Sequence, residues 1–247
     1  MRYARVLLAE FLGTFALTFF GGGAICADVL LRARAPFGPV DLVLVAAAHA
    51  VVLAVMVTAL GHISGAHFNP AVTLAALVSR RIEARLAGLY ALAQFAGGLV
   101  GALLLGAVFS SAVTAAAAFG APAPAAGVGA LPAMWLEIIL TFFLVTVIWA
   151  TAIDPRGAFK SIAGFGIGAT LFFDIVVGGP VTGAAMNPAR AFGPALLAGI
   201  LNPAHFLIYW AGPALGAVLA AVVYVYVLQP GDEMVEPTDV PPPAEAP

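Results

Sequence analysis

The chain has 247 residues, of which 63% are hydrophobic and only 9% are charged, with a formal net charge of −2. Its mean hydropathy is +1.07. A soluble domain carries about 25% charged residues to keep its surface in contact with water. The composition therefore excludes a soluble globular domain and predicts an integral membrane protein.

Six stretches of the chain are long enough to cross roughly 30 Å of hydrocarbon as helices that rise about 1.5 Å per residue. They lie at approximately 6–27, 42–61, 86–109, 132–153, 161–178 and 203–228. A membrane β-barrel would need alternating polar and apolar residues, and this alternation is missing from the sequence. The spans are therefore predicted to form an all-α bundle.

The basic residues of the short connections predict the orientation in the membrane. One side carries seven of them, namely Arg2, Arg5, Arg80, Arg81, Arg85, Arg156 and Lys160. The other side carries Arg32 and Arg34. Both termini are therefore expected in the cytoplasm, and a bacterial inner membrane is the expected location. The acidic, proline-rich residues 229–247 are predicted to be a disordered cytoplasmic tail.

An internal repeat organises the sequence. AEFLGTFALTFF at 9–20 resembles LEIILTFFLVTV at 136–147, and HFNPAVTLAALV at 67–78 resembles AMNPARAFGPAL at 185–196. Each half contains three spans, so the second half must enter the membrane from the opposite side and the halves are inverted. The prediction is one transmembrane domain at 1–228, with repeats at about 5–109 and 132–228.

Each half carries one Asn-Pro-Ala tripeptide before a short apolar segment. Asn is a preferred helix N-cap and Pro a preferred first helical residue, so each tripeptide is a predicted helix start. The inverted halves send these short helices in from opposite faces, and their N-terminal ends are expected to meet near the midplane and line a watery pore. The residues are Asn69, Pro70, Ala71, Asn187, Pro188 and Ala189. A third tripeptide, at Asn202, has no repeat partner and is interpreted as the cap of the last span.

The chemistry of such a centre favours water over ions. Each helix N-terminus carries about half a positive charge, so two that meet repel cations and hydronium. The side-chain amides of Asn69 and Asn187 can each donate to a passing water oxygen, which turns the hydrogens of that water outward in both directions. Water can then pass while a proton-conducting chain is interrupted. The alternative is that both residues are caps only.

The motifs GHISGAHFNPAVT and GGPVTGAAMNPARAFGPAL, set between six spans with paired Glu residues, resemble those of the aquaporin (major intrinsic protein) family over roughly 5–228. The resemblance implies an all-α membrane protein with six transmembrane helices plus two re-entrant half-helices in two inverted repeats. It also implies a lipid-embedded homotetramer with one pore per subunit, passive flow and no cofactor.

The resemblance also implies an outer constriction. The family places its residues twenty positions before the first motif Asn, twelve and three before the second, and three after the second. Those positions hold His49, Ile175, Ala184 and Arg190. Strict water channels usually pair a Phe with a His at the first two places, whereas this combination resembles the plant tonoplast intrinsic branch. It implies water permeation with leakage of small neutral solutes such as ammonia, hydrogen peroxide or urea.

Other polar residues are given supporting roles. The buried carboxylates Glu10 and Glu137 are interpreted as acceptors for the irregular backbone before the short helices, with a proton relay as the alternative. Gln94 is expected to serve similarly, and His67 to line the inner vestibule. Asp174 is interpreted as a cap for the outer loop, with ion binding as the alternative.

Other function classes are less favoured by the residues present. A glycerol facilitator typically has Asp where this chain has Ala191, and Tyr209-Trp210 is typical of water channels. An ion-coupled transporter would use the buried carboxylates as ion sites. Phosphate loops, nucleophile triads and basic nucleic-acid patches are missing from the sequence, so neither an enzyme nor a nucleic-acid partner is expected. Four scattered histidines predict no metal site.

Overall fold

The computed structural model describes residues 2–34, 41–157 and 162–229, and every regular element among them is helical. Six helices are long and apolar enough to cross a membrane: α1 (Arg2–Arg34), α2 (Leu42–Ser64), α4 (Ala84–Val108), α6 (Ala130–Ile153), α7 (Ala163–Thr182) and α9 (Pro203–Leu228). The short helices are α3 (Pro70–Val78), α5 (Ser111–Ala116) and α8 (Pro188–Leu197). The predicted all-α membrane fold is confirmed. Lys160 and the predicted tail beyond Gln229 lie outside the described residues.

The first helix is longer than the predicted span at 6–27, since it contains 33 residues. Its additional C-terminal turns carry Asp28 and Arg32, which lie one helical turn apart and form an ion pair at 2.8 Å. Asp28 is buried and also accepts a hydrogen bond from the Asp41 backbone just before α2. Hydropathy falls where these charges begin, but the charge pair supports the helix beyond that point.

The short helices α3 and α8 begin at the two paired Asn-Pro-Ala motifs. The side-chain oxygen of Asn69 accepts a hydrogen bond from the Ala71 backbone at 2.8 Å, and that of Asn187 accepts one from Ala189 at 3.0 Å. Helix α3 has 9 residues and α8 has 10, so each is about half as long as the hydrocarbon layer is thick. Asn202 caps the start of α9 in the same way.

Glycines allow the helix backbones to approach closely around the half-helices. Gly98 of α4 lies against the backbone carbonyl of Ala189, in the first turn of α8. In the other part of the bundle, Gly216 of α9 lies against the backbone carbonyl of Ile138 in α6. Helices in a membrane associate through close packing rather than through a hydrophobic driving force, and small residues make that packing possible. These contacts place α8 against α4 and α9 against α6.

The ends of α6 and α9 are tied together by Asp154, which directly follows α6. Its buried carboxylate accepts hydrogen bonds from the Arg156 guanidinium at 2.7 Å and from the Tyr224 hydroxyl of α9 at 3.0 Å. The Arg156 guanidinium holds the pKa of this carboxyl well below its ordinary value. The loop that leaves α6 is therefore anchored on the last span.

Gly98→Ala is expected to lower the thermal stability, because the new methyl group would overlap the Ala189 carbonyl oxygen. Overpacking costs about 1–3 kcal/mol, which exceeds the roughly 0.5–1 kcal/mol gained when a helical Gly becomes Ala. The control is Gly88→Ala in the same helix, where the Cβ would enter open space. Tryptophan fluorescence during heating in detergent measures both variants. Equal melting temperatures would contradict the packing described here.

Candidate pore site

Reciprocal hydrogen bonds join the two half-helices through their capping asparagines. Asn69 Nδ2 donates to the Met186 carbonyl at 2.8 Å, and Asn187 Nδ2 donates to the Phe68 carbonyl at 2.8 Å. Each carbonyl belongs to the residue just before the opposite asparagine, so the starts of α3 and α8 face each other. A side-chain amide carries two N–H groups, and each amide uses one of them in this pairing.

The segments that lead into the half-helices share an uncommon backbone conformation. The φ angles are +51° at Ala66, +49° at Phe68, +45° at Ala184 and +51° at Met186. Left-handed conformations are infrequent for residues with a Cβ atom, so surrounding contacts must hold them in place. The first pair occupies the same positions before Asn69 that the second pair occupies before Asn187. The two halves therefore build the same structure.

Glu10 of α1, which is fully buried, holds the first segment. Its carboxylate accepts hydrogen bonds from the backbone N–H groups of His67 at 3.0 Å and Phe68 at 2.7 Å, and from the Ser64 hydroxyl at 2.6 Å. Gln94 of α4, which is expected from the sequence to serve similarly, donates its amide to the Glu10 carboxylate at 2.8 Å and to the Thr73 hydroxyl at 2.9 Å. Gln94 therefore contacts both Glu10 and the half-helix α3.

Glu137 of α6, also fully buried, holds the second segment. It accepts hydrogen bonds from the backbone N–H groups of Ala185 at 3.0 Å and Met186 at 2.7 Å, and from the Thr182 hydroxyl at 2.7 Å. The Tyr209 hydroxyl of α9 donates to the Thr182 carbonyl at 2.7 Å. Each carboxylate thus accepts hydrogen bonds from the irregular backbone before the half-helix of its own repeat, as expected from the sequence.

His49 and Arg190 are in direct contact. Arg190 Nη2 lies 3.1 Å from His49 Nε2, and His49 Nδ1 lies 2.8 Å from the Val45 carbonyl. A carbonyl can only accept, so Nδ1 carries the proton and Nε2 accepts from the guanidinium. Arg190 is only 5% exposed, and its Nη1 atom has no hydrogen-bond partner among the described residues. Arg190 therefore has a buried donor that no described residue accepts from.

The other two predicted constriction residues lie on α7 and just after it. Ile175 is 4% exposed, Ala184 is 2% exposed, and both belong to one cluster of packed apolar side chains. A Cβ added at Gly178 would lie 3.2 Å from the Ala184 Cβ, so the segment after α7 folds back against that helix. All four predicted constriction residues are therefore buried in the bundle.

Two adjoining cavities lie on one side of the paired asparagines. The narrow cavity, of about 40 Å³, has room for a few water molecules and is lined by both halves, including His67, Asn69 and Asn187. It shares His67 with a wider vestibule of about 590 Å³, which His62 and Arg81 also line. The described residues contain no group of three or more side chains that could hold a metal ion.

Asp174 does not cap the outer loop, so that expectation was wrong. The residue lies inside α7, two turns before the helix ends at Thr182. It is 2% exposed, and its Oδ2 atom has no hydrogen-bond partner among the described residues. Gly183 ends the helix instead, in a left-handed conformation with φ of +80°. Hydropathy predicts an end near residue 178, but the helix continues for another turn.

Two glycines of α1 lie against aromatic rings, and neither contact is predicted from the sequence. A Cβ on Gly13 would overlap the ring of Phe68, the residue whose carbonyl accepts from Asn187. Eight residues further along α1, a Cβ on Gly21 would overlap the ring of His49. Residues seven or eight apart lie on the same face of a helix, which is the signal the sequence offers. One face of α1 thus makes room for both rings.

Comparison with known proteins identifies the family to which this arrangement belongs. Residues 1–224 match the family described as Major intrinsic protein. This chain belongs to the major intrinsic protein family. It is 45% identical over 232 residues to Probable aquaporin TIP3-2 from Arabidopsis thaliana, covering 92% of this chain and 84% of that protein. It is 42% identical over 233 residues to Aquaporin TIP4-4 from Zea mays, covering 93% of this chain and 89% of that protein.

Both of these relatives carry the TIP designation, so the resemblance of this aquaporin to the plant tonoplast intrinsic branch is confirmed. Its fold is similar to that of the aquaglyceroporin from Plasmodium falciparum, with a TM-score of 0.81 over 92% of this chain and 97% of that one. At 23% identity this likeness shows a shared fold. The aquaporin is an integral membrane protein with six apolar spans among its described residues. These relatives are plant proteins, and they do not support the predicted location in a bacterial inner membrane.

Two buried carboxylates in the second half provide a matched pair of substitutions. Glu137→Gln is expected to destabilise the protein by about 2 kcal/mol, because the amide has one acceptor oxygen where the carboxylate uses two for three donors. Asp174→Asn is expected to be neutral or stabilising, because Oδ2 accepts no hydrogen bond among the described residues.

Thermal unfolding of the purified variants in one detergent measures this difference. A smaller loss of stability in Glu137→Gln than in Asp174→Asn would contradict the structural role of Glu137.

Proposed function

We propose that this aquaporin is a passive water channel that excludes protons and other ions. The observation that carries the proposal is the reciprocal pairing of Asn69 and Asn187 with opposite carbonyls. Each amide keeps one further N–H group, and both residues line the narrow cavity that adjoins the vestibule. Two donors from opposite halves can bind the oxygen of one water molecule.

Proton exclusion follows from the same geometry. A water that accepts from two amides directs its own hydrogens away from the centre on both sides, so it accepts no further proton from a neighbouring water. The N-terminal ends of α3 and α8 add about half a positive charge each, which repels hydronium and metal cations. Water binding is retained because a neutral molecule is not repelled.

The outer constriction is proposed to admit small neutral solutes besides water. His49 and Arg190 offer polar contacts on one side, and the unpartnered Nη1 of Arg190 is a donor for a solute oxygen or nitrogen. Ile175 supplies an apolar wall where strict water channels usually have a ring, and Ala184 adds little bulk. Ammonia, hydrogen peroxide and urea are therefore proposed to leak through, whereas glycerol passes poorly.

The contacts of Glu10 and Glu137 support a channel over an ion-coupled transporter. Both carboxylates are occupied by backbone N–H groups of the segments before the half-helices. A carboxylate that binds and releases a coupling ion would have to give up these bonds in each cycle. A fixed structural role agrees better with passive flow.

The proposed setting is a homotetramer in lipid, with residues 1–228 forming one channel unit and both termini in the cytoplasm. Exposed apolar side chains on the spans, such as Leu92, Phe165 and Val177, suit contact with lipid or a neighbouring subunit. The vestibule lined by His62 and Arg81 then opens toward the cytoplasm, on the side with more basic residues.

Purified protein in phosphatidylcholine liposomes tests the proposal. Stopped-flow light scattering should show water permeability well above that of empty liposomes, with flux linear in the osmotic gradient. A pH-sensitive dye inside the same vesicles should show proton leakage no faster than in empty liposomes. Water flux equal to the empty control, or proton leakage that rises with protein content, would overturn the proposal.

Ile175→His is expected to reduce ammonia and urea permeability roughly 10-fold, or about 1.4 kcal/mol in barrier height, while water permeability falls much less. The added ring narrows the apolar side of the constriction. Ile175→Leu keeps an apolar side chain of equal size and is the control, with solute fluxes near those of the original chain. If wild-type vesicles pass water but neither ammonia nor urea above the empty control, the proposed solute range is wrong.

A further inference from the structure

The position of the His49 ring depends on the bare backbone of α1. Gly21 is buried in α1, and a Cβ added there would overlap Nε2 and Cδ2 of the imidazole and lie 2.8 Å from its Cε1. Real Cβ atoms are not found this close to other heavy atoms. The ring can occupy its place because residue 21 has no side chain.

The ring is held by a hydrogen bond at each of its two nitrogens. Nδ1 is held 2.8 Å from the Val45 carbonyl on its own helix, and Nε2 is held 3.1 Å from Arg190 Nη2. The α1 backbone at Gly21 lies on the side of the ring that carries Nε2. A displacement away from α1 must therefore break or lengthen at least one of the two hydrogen bonds.

We infer that Gly21 is a positioning residue for the outer constriction, which it controls by fixing the His49 ring and, through that ring, the Arg190 guanidinium. The inference rests on the proposed function, because it takes these two side chains as the polar part of the constriction. Gly21 itself touches no permeating molecule. Its contribution is the space it leaves against α1.

Gly21→Ala is expected to push the imidazole away from α1 and to weaken its bond to Arg190. The guanidinium would then lose the one side-chain partner that the described residues give it. We expect water permeability to fall several-fold and the ratio of urea to water permeability to change. Both quantities are measured by stopped-flow in proteoliposomes.

Gly23→Ala is a matched control on the same helix. A Cβ at residue 23 would lie 3.5 Å from Leu105 Cδ2, which is an ordinary van der Waals contact, and near no constriction residue. The intrinsic effect of replacing a helical Gly by Ala is the same in both variants. Permeability of Gly23→Ala should match that of the original chain, and equal changes in the two variants would overturn the inference.

A double-substitution cycle tests whether Gly21 acts through the imidazole. In a His49→Ala background no ring is present to be displaced, so adding Gly21→Ala should change neither water nor urea permeability further. An equal effect of Gly21→Ala in both backgrounds would overturn the inference. If Gly21→Ala alone does not insert or fold, the Gly21→Ala/His49→Ala protein should recover folding, and failure to recover would also count against it.

Nitrogen NMR of the histidine side chains gives a readout that needs no permeation. The chain has four histidines, and loss of a signal in His49→Ala identifies the ring concerned. That ring should show a protonated Nδ1 and an accepting Nε2 in liposomes. Its Nε2 shift should move in Gly21→Ala and stay in place in Gly23→Ala.

An unchanged shift in Gly21→Ala would overturn the inference even if permeability changed. If the original chain passes no water above empty liposomes, the proposed function fails, and the NMR comparison still decides whether Gly21 positions His49.

Discussion

The pore depends on two hydrogen bonds that cross between the inverted halves. Asn69 donates to the Met186 carbonyl and Asn187 donates to the Phe68 carbonyl, both at 2.8 Å. Because each bond joins the cap of one half-helix to the segment before the other, neither half-helix can shift without breaking both bonds. The oxygen of each side chain caps its own helix at the same time. One residue in each half therefore starts a helix, joins the halves and retains a free donor.

The carbonyls that accept these bonds belong to Phe68 and Met186, which are in a left-handed conformation. Residues with a Cβ atom rarely adopt this conformation unless surrounding contacts stabilise it. Burying an ionisable carboxylate in a membrane costs about 3 kcal/mol on insertion scales, and Glu10 and Glu137 offset this by accepting hydrogen bonds from the left-handed segments. The next layer of support is shared in part. Tyr90 donates to the Ser64 carbonyl at 2.8 Å in the first half, and Tyr209 donates to the Thr182 carbonyl at 2.7 Å in the second. In the first half Gln94 also donates to the Glu10 carboxylate, and the described hydrogen bonds give Glu137 no such amide partner.

Local patterns predict the starts of both half-helices, because Asn is a preferred N-cap, Pro is a preferred first helical residue, and an apolar segment follows each pair. Such patterns do not predict the hydrogen-bond acceptors of the two asparagine amides. These acceptors depend on where the inverted halves meet and on the left-handed conformation of Phe68 and Met186. The spacing from the motif asparagine predicts that His49 belongs to the constriction. It does not predict that Gly21 leaves the space for the His49 ring. Hydropathy places the end of the fifth span near residue 178 and therefore predicts Asp174 too close to the end of its helix, which continues to Thr182. A hydropathy pattern shows where a span leaves the hydrocarbon, and the helix can extend beyond that point.

The most direct test of this account is proton-detected solid-state NMR of asparagine-labelled protein in liposomes. The chain contains three asparagines, so the side-chain amide signals are few enough to assign by substitution. For Asn69 and Asn187, one amide proton should show the shift of a strong hydrogen bond, and the other should receive magnetisation from water. Water contact at both protons of either residue would contradict the account, because the reciprocal bonds would then not exist. Water contact at neither proton would contradict it as well, because no donor would face the pore.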